Sequence, residues 1–238
     1  MFYVAQAKNG PSEFRYGAKS LGPDSVPSEH RADLNAATAN RRVSVDLTNA
    51  ETAFEKSSST ANRDALATAQ KAYGKQLPGV PNNSKISEAL GEKAAVLHVI
   101  PHEFKNLEPI DLPKTSNGAN MFDAAYAIGS DGDYLIVEAK APKGDLDWGN
   151  GRADPEDPDN PHIGDDGGAQ GMRVKQGTKP YIRTILAEMT LRGGEDARIA
   201  KLLRDALNQG KLQYVLVKAN DSLGSTYAGA RIEHLKVN

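Results

Sequence analysis

The sequence contains no cysteine. That excludes a disulfide framework, a thiolate zinc site and a cysteine nucleophile. It has a single tryptophan, and aromatic residues make up only 6% of the chain. No apolar run approaches the roughly 20 residues a helix needs to cross a bilayer, so no membrane anchor is expected. The start, MFYVAQAKNG, lacks a charged n-region followed by an apolar h-region, which sets aside a Sec-type signal. Net charge is −2, from 29 basic and 31 acidic residues, so no broad nucleic-acid footprint covers the chain. What remains is a chain of 238 residues, 39% hydrophobic and 25% charged. That composition suits one or two folded domains rather than a disordered chain.

The small net charge hides an uneven distribution. Residues 143–172 hold eight acids against Lys143 and Arg152, a local balance of −6. Residues 173–211 carry nine basic and four acidic side chains, a local balance of +5. A basic region therefore follows an acidic one.

Gly10-Pro11, Gly22-Pro23 and Pro27 punctuate residues 1–30, which read as irregular. Residues 31–76 are rich in Ala, Glu, Lys, Arg and Gln and lack proline. They predict two helices, about 31–56 and 60–74, separated by Ser57-Ser58-Ser59. Ala36, Val43, Leu47, Ala50 and Phe54 would line one apolar stripe, and Leu66 and Tyr73 the other. Pro78-Gly79-Val80-Pro81 then marks a boundary between an N-terminal helical region, 1–80, and a second domain, 81–238.

A helix is expected from about Ser84–Ile86 to just before Pro101, with Ile86, Ala89, Leu90, Ala94, Leu97 and Ile100 at helical spacing. The prolines of residues 103–113 leave room for only a short strand. MFDAAYAI and DYLIVEAK flank Gly129-Ser130-Asp131-Gly132, the chemistry of a hairpin turn. Residues 143–172 read as one long loop. Thr178 caps a helix over about 179–191, with Pro180 in its first turn, and Gly193-Gly194 ends it. A further helix over 195–208 and strands at Lys211–Lys218 and Ala230–Val237 complete the order. The fold class is α/β, with a mixed sheet.

A two-residue loop at Ser130-Asp131 sets Asp123 directly opposite Glu138, with Lys140 two residues further along the same face. Two carboxylates so close repel each other unless one is protonated or a cation lies between them. Mg²⁺ suits such a pair, since it binds one or two carboxylates and completes its shell with water and phosphate oxygens. Lys140 would position water or offset phosphate charge. Glu92, or in second place Glu88, on the preceding helix would complete the metal shell. Glu138 and Lys140 lie in the apolar run LIVEAKAP, where charges are costly unless something binds them. His98 and His102 are four apart, as helical zinc ligands are, but Pro101 intervenes and no HExxH pattern is present. DLDWGNG does not fit the calcium-loop pattern.

Phe122-Asp123 followed by Tyr134 to Lys140 (YLIVEAK) resembles the Asp…Glu-x-Lys signature of the PD-(D/E)XK restriction-endonuclease-like nucleases. The later run GMRVKQGTKPYI is similar to the G-R-x-V-x-Q-G-T-x-x-Y-[IL] stretch of restriction-endonuclease-type toxins in bacterial polymorphic toxin systems. The resemblance covers about residues 84–238. It implies a restriction-endonuclease-like αβββαβ core with a mixed central sheet, here preceded by the N-terminal helical hairpin. It implies hydrolysis of DNA phosphodiesters with Mg²⁺ or Mn²⁺ held by Asp123, Glu138 and the Ala139 carbonyl, and Lys140 beside the nucleophile. Gln176 would contact substrate or water, and Tyr181 would shape that wall. Arg173, Lys175 and Lys179 would meet the phosphate backbone, aided by the helix N-terminus after Thr178.

The implied role is an antibacterial effector, carried by a specialised secretion machine such as the type VI system. It would act in the target-cell cytoplasm and be neutralised by a cognate immunity protein. The N-terminal hairpin would serve delivery, chaperone binding or packing. Two rival readings stand beside this one. The chain is a non-enzymatic nucleic-acid- or protein-binding module, or the same fold acts on RNA.

Overall fold

The computed structural model describes residues 15–113, 115, 121–152 and 173–237. Its centre is a six-stranded mixed sheet formed by β1 (Arg15–Leu21), β2 (Leu107–Ile110), β3 (Ala124–Ile128), β4 (Asp133–Lys140), β7 (Leu212–Ala219) and β8 (Ala230–Leu235). The spatial order is β1-β8-β7-β4-β3-β2. Only β4 and β7 run parallel; the other neighbours are antiparallel. A separate two-stranded ribbon joins β5 (Trp148–Asn150) and β6 (Arg173–Lys175).

Helices cover both faces. On one face lie α1 (Arg31–Lys56) and α3 (Ser84–Ala94), and on the other α4 (Lys179–Arg192) and α5 (Gly194–Asn208). The strands alternate between these two cores. Ile136, Tyr214 and Leu216 join the α4–α5 side, while Leu135, Val137, Val215 and Val217 join the α1–α3 side. A central parallel pair covered on both faces has to be apolar on both, which is why LIV and YVLV are nearly unbroken. Each fully buried Leu, Ile or Val contributes roughly 1.5–3 kcal/mol. Between α4 and α5 the chain turns through Gly193 and Gly194, at φ 74° and 56°, a left-handed backbone that glycine adopts without strain.

The hairpin register follows the turn. Ala124 pairs with Val137 and Ile128 with Asp133. β2 places Pro109 on an edge strand, where its missing N–H is tolerated.

Several expectations are corrected. Residues 15–21, read as irregular, form the edge strand β1, paired with β8. Residues from the first 80 thus enter the central sheet, so a division at 80 does not separate the strands. α3 does not stop before Pro101. It continues through a π-helical turn, Ala95–Val99, into a last turn, Ile100–Glu103, with Pro101 at its start. The wider turn lies where proline would crowd the preceding carbonyls.

α1 buries Leu34, Ala37, Thr38, Arg41, Ser44 and Leu47 rather than the expected stripe, of which only Leu47 is buried. The polar members of that face have partners: Arg41 binds Asp221 at 2.8 Å, and Ser44 binds Asn82 at 2.5 Å. α2 (Thr60–Gln76) buries only Tyr73. Within the acidic segment, residues 148–150 form β5 rather than loop, and residues 153–172 lie outside the described residues.

Candidate functional site

Asn83 caps α3: its side chain accepts a hydrogen bond from the Lys85 amide at 3.0 Å. The helix then crosses the C-terminal end of β4 at Gly91. A Cβ on Gly91 would stand 2.6 Å from the carbonyl carbon of Lys140 and 2.7 Å from its oxygen. Only glycine permits this approach. It brings Glu88, three residues earlier, and Glu92, one residue later, to the rim of a cleft of about 440 Å³. Asp123, Glu138, Ala139, Lys140, Gln176 and Tyr181 line the same cleft, as do Asp145 and Asp147.

The carboxylates are held in place. Asp123 directly precedes β3, and its Oδ2 accepts the Ala139 amide at 2.7 Å. Ala139 lies beyond the last β3–β4 pair, so the side chain of Asp123 replaces the missing strand partner. In an extended strand the N–H and C=O of one residue point to the same edge. The Ala139 carbonyl therefore shares the edge at which Asp123 sits. Glu138 is only 2% exposed. Its Oε1 accepts from Lys140 Nζ at 2.8 Å, and its Oε2 accepts from the Tyr214 hydroxyl at 3.0 Å. The Tyr214 ring is set edge-on against Phe122, with centroids 6.3 Å apart.

Asp123 is exposed at the cleft mouth, yet protein atoms crowd its carboxyl on the inner side. That crowding, and then the Glu138 charge, push its carboxyl up to about 7 from an ordinary 3.8, against the Ala139 hydrogen bond and Lys140. Glu88 adds to the same effect. Burial opposes the charge on Lys140, but Glu138, Asp123 and Asp147 outweigh it and raise its pKa. Burial and the Glu138 charge raise the Tyr181 hydroxyl, so it stays a neutral donor. Asp145 is partly buried, which works against ionisation. Its 2.6 Å bond to Arg15 nevertheless lowers its pKa, and Arg15 also reaches Glu233 at 3.2 Å.

Among the described residues, six carboxylates and a single lysine thus face one small space. A divalent cation fits the donor set. Asp123 and Glu138 would hold it with the Ala139 carbonyl, and its arrival would relieve the repulsion that raises Asp123. Among the described residues no three acidic or histidine side chains converge as a ready-made shell. Water and phosphate oxygens would complete the shell, as Mg²⁺ tolerates.

The structure brings Asp123, Glu138, Ala139, Lys140, Glu92, Glu88, Gln176 and Tyr181 together. The charge of Glu88, the second choice for the helix acid, is felt at Asp123. Arg173, Lys175, Thr178 and Lys179 do not line the cleft. Arg173 donates to the Trp148 and Gly149 carbonyls, and Lys175 to that of Leu146. Thr178 caps α4 through the Tyr181 amide at 3.4 Å. Gln176 ties the wall together: its Oε1 accepts the Asp147 amide at 2.8 Å, and its Nε2 donates to the Tyr181 hydroxyl at 3.4 Å.

His98 is no ligand in waiting. It is fully buried, one ring nitrogen meets the Ser25 hydroxyl at 2.8 Å and the other that of Tyr227 at 3.0 Å. Burial lowers its pKa to about 4.

Sequence reasoning missed Gly91 and Tyr214. A glycine inside a helical pattern signals close approach, and a tyrosine inside a buried strand must find a partner for its hydroxyl. Both signals were present in EALGEKA and KLQYVLVK. No protein-family model, no curated protein and no solved structure matches this chain.

Proposed function

We propose that the chain is a metal-dependent nuclease of the PD-(D/E)XK type that hydrolyses phosphodiester bonds in DNA. The observation that carries this reading is the meeting of Asp123, Glu138 and Lys140 in one cleft, where burial and then the Glu138 charge raise the pKa of Asp123. The order α3, β2, β3, β4, then α4 and β7 supports an αβββαβ core for this reading. When bound, Mg²⁺ or Mn²⁺ would polarise the scissile phosphate and lower the pKa of a coordinated water.

The protein's own groups have distinct tasks. Asp123, Glu138 and the Ala139 carbonyl hold the cation. Tyr214 fixes one oxygen of Glu138 and leaves the other to Lys140. Lys140 Nζ orients water and offsets charge on the phosphate. Gln176 and Tyr181 are locked to each other and wall the cleft. Glu88 and Glu92 add negative charge at the rim. In keeping with the GMRVKQGTKPYI run, the biological role is that of an antibacterial effector. A specialised machine delivers it to the target-cell cytoplasm, and a cognate immunity protein blocks the cleft or the basic ribbon beside it.

The test is plasmid cleavage by the purified protein with Mg²⁺, with EDTA, and with Glu138→Gln. Nicking or linearisation is expected only for the unsubstituted protein in Mg²⁺. Glu138→Gln, Asp123→Ala and Lys140→Ala should each slow cleavage by at least about 100-fold, the scale for losing one group that stabilises developing charge. Cleavage that survives Glu138→Gln would remove this site. A parallel RNA substrate separates DNase from RNase.

A further inference from the structure

The β5–β6 ribbon has two faces. Gly149 and Val174 pair on the inner one. Val174 is buried in the α4–α5 core, and a Cβ on Gly149 would stand 4.0 Å from the Tyr181 ring. The flanking Asp147 and Gln176, bonded to each other, close the cleft on that side. The outer face carries the other two pairs, Trp148 with Lys175 and Asn150 with Arg173. Among the described residues it thus presents an indole, an amide and two cations, and no carboxylate.

Trp148 is the chain's only tryptophan and is 42% exposed. Lys175 Nζ lies 5.4 Å from its ring centre. Among the described residues, neither Arg173 nor Lys175 pairs with a carboxylate; they donate to main-chain carbonyls, which carry no full charge to offset theirs. The cleft beside them is strongly acidic and by itself repels a polyanion. A substrate therefore needs attachment outside the cleft, next to its wall.

We infer that the outer face of the β5–β6 ribbon is a stacking platform for an unpaired base of single-stranded nucleic acid. Trp148 takes the base, and Arg173 and Lys175 take the neighbouring phosphates. This rests on the nuclease reading only in naming nucleic acid as the substrate. A duplex offers no free base face, whereas a single strand or frayed end does, and stacking on an aromatic tolerates any base. A strand lying here enters the cleft past the Asp147–Gln176 end of the ribbon.

The experiment uses the indole as its own reporter, in EDTA so that nothing is cut. Oligothymidylate, oligouridylate and a blunt duplex of equal length are titrated while tryptophan emission is followed. Anisotropy of a labelled strand reports binding independently. Saturable quenching by the single strands, weaker with duplex, is the expected result. Trp148→Leu, at an exposed position, should keep the far-UV circular dichroism and weaken single-strand binding by roughly 5- to 100-fold. Arg173→Gln should lower the salt slope by about one ion.

Unchanged emission on binding, equal affinity in Trp148→Leu, equal quenching by duplex, or no binding at all would each overturn the platform. Equal quenching by the DNA and RNA strands supports it and means the 2′-hydroxyl is not read. Plasmid cleavage in Mg²⁺ without quenching would remove the platform and leave the nuclease reading standing. Quenching without cleavage would do the reverse.

Discussion

Asp123 is held well above the ordinary carboxylate range in the cleft, and the consequence is measurable without any substrate. Its carboxyl stands near 7 in the folded chain against an ordinary 3.8. Between those values the folded state holds a proton that the unfolded state has released. The stability this gives is complete below pH 3.8 and is lost as pH rises through 7. His98 acts in the opposite sense. With its pKa lowered from 6.5 to about 4, it loses stability as pH falls through that window. A single pH profile would mix the two, so the difference between two proteins is the cleaner quantity. Asp123→Asn cannot ionise and should gain stability relative to the unsubstituted protein as pH goes from 4 to 8. Thermal unfolding in EDTA across that range checks it. A difference independent of pH would mean that burial and the Glu138 charge do not raise this carboxyl.

At the scale of elements, the site depends on how closely α3 lies on the end of β4. Gly91 sets that distance, because a Cβ there meets Lys140 main-chain atoms that cannot rotate away. Two effects compete in Gly91→Ala. Helix propensity favours alanine by about 1 kcal/mol. Overpacking against a fixed backbone costs about 1–3 kcal/mol. The clash should win, because the opposing atoms belong to a central strand covered on both faces. The expected outcome is a lower urea midpoint, by up to about 2 kcal/mol in stability. Glu88 and Glu92 should also be displaced, with reduced cleavage. A variant as stable as its parent would mean that α3 can slide without cost.

At the scale of the molecule, two cores share one sheet, and the helical hairpin stands partly outside both. The first half of α1 is built in: Leu34 and Ala37 belong to the core shared with α3. From residue 48 to residue 72 no side chain is buried. The tip of the α1–α2 hairpin therefore contributes little to the packing of the sheet. Replacing residues 50–70 by a short Gly-Ser turn should remove helical signal in proportion to length. The main unfolding transition should shift by no more than about 5 °C, the effect of roughly 1–2 kcal/mol in a chain of this size. Calorimetry reads this directly. Loss of a cooperative transition would show that the hairpin is integral to the fold. Retained cleavage would assign the hairpin to delivery or partner binding rather than to the cleft.

The local features were legible in the sequence because they depend on neighbours a few residues apart. Turn chemistry at 129–132 fixes the β3–β4 register, which ends at the pair Ala124–Val137, one residue short of Asp123 and Glu138. Thr178 and Gly193-Gly194 punctuate α4 as expected. Other features required partners far along the chain. The buried face of α1 is set by where the helix lands: Arg41 reaches Asp221, 180 residues away. β1 became a strand because β8 offered an edge. Tyr214 and Glu138, 76 residues apart, meet only when β7 aligns with β4. Gly91 matters only once β4 lies beneath it. Local propensity is worth tenths of a kcal/mol per residue, whereas burial and pairing of a side chain are worth several times that. The sequence alone therefore determined the turns, the Thr178 cap and the order of the main helices and strands from residue 84 on, and tertiary packing decided which edge segments became strands, which faces were buried and which groups came to share the cleft.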